Sequence, residues 1–408
     1  MNPLVGVLVL VLLGLLGARF AFNEARVPLG PRLLVSAGTH FIFLGFLLGV
    51  NGFGLLTPRV LDQLYPFMAL GLGWIGLLFG IQLDRRQLAF FPPAFLLVAL
   101  IQALVAFAVF LLVGTGIAAF LADTPGLTLA LLITAATACV STPAGVALIS
   151  RSFQVRGPVS QLTFFIASVD AAVGIAALQV AYAFRHPSSD GTFAAGGWEW
   201  IAVALAAGIV FGVFFLWLTR PKPSREELTL FLLGLVVFAA GAALYLGVSP
   251  LFVTMVAGIV IANLSPARRR VFRLLQAWEQ PVYVILLILA GALLRFPTWL
   301  ILPLAAAYVV LRGLGKLAGG WLAVRVTQRG FRPPADLGLG LLPQGGISLA
   351  MVISITLTYG AIETAGFPLV DVLFSTVVLA VVASELIGPL LTRDMFRRAG
   401  ELTPRPDR

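Results

Sequence analysis

Apolar blocks follow one another along this 408-residue chain, each near the ~20 residues a helix needs to cross a hydrocarbon layer. Within lipid a chain can satisfy its backbone polar groups only by forming helices or a closed barrel, and blocks of this length predict helices. Charged residues make up 11% of the chain and apolar residues 60%, with a mean hydropathy of +1.03. A soluble domain carries about twice that charged fraction. The pattern excludes a soluble enzyme, a disordered chain and a collagen-like chain. The predicted fold class is an all-α polytopic membrane protein.

Thirteen spans are placed at 3–18, 33–50, 63–83, 92–120, 126–150, 158–184, 198–219, 228–247, 249–264, 281–295, 298–324, 336–359 and 367–391. Lysine and arginine test this count, because they resist translocation and mark cytoplasmic loops. Of the 27 basic residues, 22 fall in the connections after odd-numbered spans or in the tail, and three (Arg59, Arg185 and Arg295) fall on the other side. A missed or spurious span would scramble this asymmetry. It predicts an N-terminus outside and a C-terminus in the cytoplasm, in a plasma (inner) membrane. The net charge of +10 is then an orientation signal, and no nucleic-acid partner is expected. The opening segment lacks a basic n-region and a small-residue cleavage site, so it reads as a retained first helix. With one cysteine, Cys139, and two histidines, His40 and His186, no internal disulfide, structural zinc site or resident cofactor is expected.

Two spans contain helix breakers at corresponding places. The fifth holds Ser141-Thr142-Pro143-Ala144-Gly145, and the twelfth holds Leu342-Pro343-Gln344-Gly345-Gly346. Proline removes an amide donor and clashes with the preceding turn. Either break alone would read as an ordinary kink. Two breaks seven spans apart lie on helices that run in opposite directions, so spans 1–6 and 8–13 are expected to form an inverted repeat about span 7. Paired interruptions in two halves point to a transporter's midplane site.

Ionisable groups inside spans are the third signal, since each costs ~2.5–3.5 kcal/mol at a helix centre on insertion scales. Asp170 lies in the middle of the sixth span among apolar and small residues. Desolvation penalises its charged form, which suits it to trading a proton for a cation near neutral pH. Its oxygens are hard ligands for Na⁺ or K⁺, and Ser141, Thr142 and nearby carbonyls can complete the shell. No lysine or arginine is near in sequence, so the reading of a structural aspartate paired with a buried cation is set behind the functional one. Arg312 and Lys316, four apart, share one helix face and are expected to satisfy carbonyls at the breaks or to compete for Asp170. Glu385 is read as an interfacial partner of Arg393 or another basic group, His40 as a hydrogen-bonded interior histidine, and Asp336 and Asp371 as interfacial. Trp198, Trp200, Trp278 and Trp299 read as interfacial anchors. Arg268-Arg269-Arg270 reads as a cytoplasmic stop signal, with anionic-lipid contact as the alternative.

These stretches, in this order, resemble the monovalent cation:proton antiporter superfamily, the sodium/hydrogen exchanger membrane domain. The resemblance rests on Gly45-Phe46-Leu47-Leu48-Gly49, Leu77 to Asp84, Ser141-Thr142-Pro143-Ala144, the Asp170 segment, Arg312-Gly313-Leu314-Gly315 and Gln344-Gly345-Gly346. The last is similar to a stretch of potassium-efflux relatives. The resemblance implies a homodimer whose mobile core contains two crossed broken helices, with Asp170 binding proton or cation in turn. It implies a membrane domain over 1–397, with a core at roughly 92–184 and 298–391, a dimerisation scaffold at roughly 1–83 and 198–295, and a short tail at 398–408. The chain departs from its relatives at Val169, Thr142 and Ile347, where relatives often carry an acid or amide. A single acidic exchange group favours one-for-one exchange.

The chain is thus expected to be a secondary antiporter, not an enzyme, exchanging H⁺ for Na⁺ or K⁺ by alternating access. In that reading Asp170, Ser141 and Thr142 bind the ion, Arg312 and Lys316 tune it, and Pro143, Gln344, Gly345 and Gly346 shape the broken helices. The alternative is a Na⁺-coupled organic-anion symporter, in which helix N-termini at the breaks cradle a carboxylate.

Overall fold

The computed structural model describes residues 10, 12, 13, 15, 38–118, 127–184, 186, 196–220, 223–326, 333–360 and 368–402. The secondary structure of these residues is helical, with no strand among them. Eight helices among them are long and apolar enough to cross a membrane, and four shorter apolar helices accompany them. The chain is therefore a polytopic helical membrane protein. All but four positions of the predicted first span, 3–18, lie outside the described residues, as do 403–408 of the tail.

The principal helices are α1 (Thr39–Leu48), α2 (Tyr65–Gln82), α3 (Pro93–Ala118), α4 (Leu127–Cys139), α5 (Pro143–Ser152), α6 (Pro158–Phe184) and α7 (Gly197–Leu218). They continue with α8 (Arg225–Tyr245), α9 (Pro250–Leu264), α10 (Arg268–Ala292), α11 (Ile301–Val326), α12 (Gly345–Tyr359) and α13 (Leu369–Arg398). A 3-10 turn over Leu337–Leu341 precedes α12. Predicted span 126–150 is divided into α4 and α5, and span 336–359 into the 3-10 turn and α12. The Val248-Ser249-Pro250 turn stands where the sequence put it, with Ser249 capping α9 by accepting at its hydroxyl from Phe252 N. Span 281–295 needs correction. Its helix begins at Arg268 and runs through Pro281. The first turns carry Arg268, Arg269, Arg270 and Arg273 and so look like a loop to hydropathy, although they are helical.

Packing divides the helices. One set (α1, α2, α7, α8, α9 and α10) packs mainly within itself, and a second (α3 to α6, the 3-10 turn, α11 and α13) does the same. α12 packs on α13 and also leans on α10 and α2. One apolar cluster is built from Trp74, Leu78, Phe215, Leu232 and Leu275 in the first set. Another is built from Phe95, Leu162, Ile166, Leu341 and Phe396 in the second. A third, larger cluster runs between the sets through Ile175, Leu286, Ile288, Met351 and Val377. The outward faces remain apolar, with Leu112, Phe214, Phe238 and Leu302 more than half exposed, as lipid-facing helices require.

With no hydrophobic drive between helices in lipid, close association relies on small residues that let backbones approach. α2 and α9 cross at Gly80 and Gly258, whose Cα positions nearly touch: a Cβ built on either glycine would lie 2.9 Å from the other's Cα. A Cβ on Gly258 would also sit 2.6 Å from the Leu77 carbonyl oxygen. Gly258→Leu should therefore force the two helices apart and lower the thermal unfolding midpoint in detergent by several degrees. An unchanged midpoint would contradict this crossing.

Candidate functional site

The two interruptions face each other. Between α4 and α5 the backbone leaves the helix at Val140, Ser141 and Thr142, and Pro143 restarts it at a position where its missing amide is harmless. Between the 3-10 turn and α12 the break covers Leu342, Pro343 and Gln344. Thr142 N donates to Pro343 O at 3.0 Å, so the breaks are joined backbone to backbone. Gly345 opens α12 with φ +66°, and a Cβ there would lie 2.6 Å from Thr142 Cβ. A left-handed start packed this tightly requires glycine. Gly346 sits directly against the Tyr283 ring of α10.

An interrupted helix leaves carbonyl oxygens without partners, and its C-terminal ends carry partial negative charge. Two buried cations from α11 meet these ends. Arg312, 2% exposed, donates through Nη2 to Val140 O (2.8 Å) and Leu341 O (3.1 Å), and through Nη1 to Leu342 O (2.6 Å). One guanidinium thus holds carbonyls from both breaks. Lys316, fully buried, donates to Cys139 O at 2.5 Å. The N-terminal, positive end of α12 receives an anion: Glu385 Oε1 accepts from Gln344 N (2.8 Å) and Gly345 N (2.6 Å).

Asp170 lies on α6 beside this junction and is fully buried. Lys316 Nζ stands 2.6 Å from its Oδ2, and Ser141 Oγ donates to the same oxygen at 2.8 Å. Its other oxygen, Oδ1, has no hydrogen-bond partner among the described residues. Ser141 Oγ also lies 2.9 Å from Leu341 O. A hydroxyl has one proton, so Ser141 serves one acceptor at a time. With Asp170 ionised, Ser141 donates to the carboxylate. With Asp170 protonated, the carboxyl can donate to Ser141 Oγ and release the serine proton toward Leu341 O. The Ser141 hydroxyl thus stands between Asp170 and the Leu341 carbonyl at the second break.

The structure brings several of the predicted residues together and corrects other expectations. Asp170, Ser141, Arg312, Lys316 and Gln344 come together. Thr142 contributes its backbone amide and packs its side chain against Gly345. The buried cation partner set second in the sequence reading is present: Lys316, one of the two cations expected at the breaks or on Asp170, reaches it from a helix 146 residues away. Glu385 is 6% exposed and caps α12, while Arg393 pairs with Asp394. His40 lies exposed, with its ring 4.0 Å from that of Phe41, and is not interior. Trp200 is buried and stacked on His186 at 3.5 Å, unlike the exposed Trp198 and Trp299. Asp336 and Asp371 pair near helix ends with Arg398 and Arg295. Sequence reasoning missed a neutral network. Gln344 Nε2 donates to Thr137 O (2.9 Å) and to Tyr308 Oη (2.7 Å), and Tyr308 Oη donates to Thr137 Oγ1 (3.1 Å). Tyr308 lies one helical turn before Arg312 on the same face, which is the signal that could have found it. Among the described residues no group of His, Cys, Asp and Glu is arranged to hold a resident metal.

Two interrupted helices joined at their breaks, with buried charges on their ends, define a membrane transporter of the discontinuous-helix class. The chain belongs to the sodium/hydrogen exchanger family, whose transmembrane model matches residues 7–397. It is therefore a multi-pass transporter of a cation/proton exchanger family and not an enzyme. Among solved structures it is similar to the sodium proton antiporter MjNhaP1 from Methanocaldococcus jannaschii at pH 8, with a TM-score of 0.70 at 14% identity over 99% of both chains. An electron-microscopy structure of the same protein gives a TM-score of 0.64 at 15% identity, over 99% of this chain and 100% of that one. At this identity the likeness shows a shared fold. No curated protein matches the chain significantly.

Arg312→Lys keeps the charge but cannot span the Val140, Leu341 and Leu342 carbonyls with one rigid fork. Leaving buried acceptors unpaired costs about 1–3 kcal/mol each. The variant should unfold several degrees below wild type in detergent, and an equal midpoint would show that the guanidinium does not hold the breaks together.

Proposed function

We propose that the protein exchanges H⁺ for Na⁺ or K⁺ across a plasma (inner) membrane, with Asp170 as the shared proton and cation group. The observation that carries this reading is a fully buried carboxylate at the junction of two interrupted helices, with one oxygen paired to Lys316 and the other without a partner among the described residues. The cation is held by Asp170, the Ser141 hydroxyl and carbonyls near Thr142. Lys316 and the transported cation are mutually exclusive on Asp170, so the ammonium moves off as the metal ion arrives. Arg312 stays on the carbonyls of both breaks and keeps their ends together during this exchange. Gln344, tied to Thr137 and Tyr308, anchors the second break.

Proton or cation each neutralises Asp170, and only the neutralised site crosses between the two membrane faces. One exchange group favours one-for-one exchange. In this reading 92–184 and 298–391 form the moving core, and 1–83 and 198–295 the scaffold of a homodimer. The division is supported by the helices packing mainly within two such sets. Thirteen spans in an inverted repeat, with the N-terminus outside, remain part of the proposal, supported by the opposed breaks and by the asymmetry of basic residues. The organic-anion symporter needs a helix N-terminus free to hold a substrate carboxylate. At α12 that position is taken by Glu385.

In everted vesicles, adding Na⁺ or K⁺ to acid-loaded wild type should dissipate the pH gradient. Asp170→Asn at equal expression should reduce that flux to background. Cation-evoked proton flux that survives in Asp170→Asn would overturn the assignment.

A further inference from the structure

Away from the ion site, three helix ends meet around an open polar pocket. α2 ends at Gln82, α9 ends at Leu264 and α10 begins at Arg268. Between them lies a pocket of about 460 Å³ lined by Arg86, Asn263, Leu264, Ser265, Pro266, Arg268 and Arg269. This volume is within the range of small-ligand sites, ~300–1,000 Å³.

Hydrogen bonds brace the walls. Asn263 Oδ1 accepts from Arg85 N (2.9 Å), and its amide donates to Ile259 O (2.8 Å). Ser265 Oγ accepts from Ala267 N (3.1 Å). Asp84 braces two of the lining residues, accepting from Arg86 N (3.0 Å) and pairing with Arg268 Nε (2.9 Å). That one carboxylate offsets one of three guanidinium groups. Arg86 and Arg269 are exposed and have no acidic partner among the described residues. The cavity also lies at the N-terminus of the 25-residue α10, where the dipole favours an anion. Its rim carries Leu264, 65% exposed, so an apolar surface adjoins the charged one.

We propose that this pocket binds a phosphate group, held by the Arg86 and Arg269 guanidiniums and the first turn of α10. Guanidinium forks match phosphate oxygens two at a time, and a helix N-terminus adds backbone donors. The phosphate comes from an anionic lipid headgroup, whose acyl chain lies on Leu264, or from a free phosphate ion. The site stands apart from Asp170 and does not depend on what the transporter carries.

The test is the thermal unfolding midpoint of the purified full chain in neutral detergent. Phosphatidylglycerol, phosphatidylcholine or inorganic phosphate is added in separate arms, to wild type and to two variants. Arg86→Gln/Arg269→Gln removes the two free guanidiniums, and neither side chain makes a hydrogen bond or ion pair to another described residue. Arg220→Gln/Arg225→Gln removes equal charge from the same predicted membrane face. Wild type and the Arg220/Arg225 variant should be stabilised more by phosphatidylglycerol than by phosphatidylcholine, whose phosphodiester is offset by its own choline cation. The Arg86/Arg269 variant should need at least about tenfold more lipid for the same shift. Stabilisation by phosphatidylglycerol alone supports the site with a lipid headgroup as its ligand. Stabilisation by inorganic phosphate as well, with the same dependence on Arg86 and Arg269, supports it with the phosphate group sufficient. No stabilisation of wild type by either phosphate source, an equal response in the Arg86/Arg269 variant, or an equal loss in the Arg220/Arg225 variant overturns it.

Discussion

Backbone groups that lose their helical partners at membrane depth must find others within the protein, and this requirement organises the centre of the molecule. Two interruptions would be costly if each stood alone. Brought together, they share one solution: Arg312 takes carbonyls from both, Lys316 takes Cys139 O, and Glu385 takes amides at the start of α12. Cations sit on negative helix ends and the carboxylate on a positive one, as the helix dipole favours. The remaining acid, Asp170, pairs with Lys316 and completes the formal charge balance of the junction.

In the proposed function the Asp170–Lys316 pair suits exchange better than it suits stability. Two charges taken out of water gain little net free energy from pairing, whereas removing one partner costs about 3–5 kcal/mol. A site of this kind tolerates substitution of one cation by another much better than loss of a cation. On the proposed reading, a transported Na⁺ or K⁺ replaces the Lys316 ammonium, and a proton replaces both by neutralising the carboxylate. Ser141 links these states to the second break because its single proton faces two acceptors.

Much of this was legible in the sequence. Apolar blocks placed most helices, since hydropathy and length are the properties the bilayer selects. Pro143, Pro343 and the Gly345-Gly346 pair marked both interruptions because few residues break a helix locally. Asp170, Arg312 and Lys316 stood out because charge inside a span is rare. A cation on Asp170 was one alternative, but which of the two would meet it was not legible. Lys316 and Asp170 are 146 residues apart, and nothing in either span encodes which face meets which. Glu385 was misread because a carboxylate near a span end has the same sequence appearance whether it meets a surface arginine or caps a buried helix. Thr137 and Tyr308 carry no charge and break no helix, so they looked like ordinary residues of their spans. The start of α10 was missed because arginines in its first turns outweigh its apolar face in any hydropathy reading.

The central claim is that proton and metal ion compete for one carboxylate, and proton release on cation binding tests it most directly. Purified protein in weakly buffered detergent solution, at a pH where Asp170 starts protonated rather than paired with Lys316, should release up to about one proton per chain when saturated with the transported cation, because ligands that share a site displace each other reciprocally. Asp170→Asn should release none. Cation binding by wild type without proton release, or release that persists in Asp170→Asn, would contradict the account.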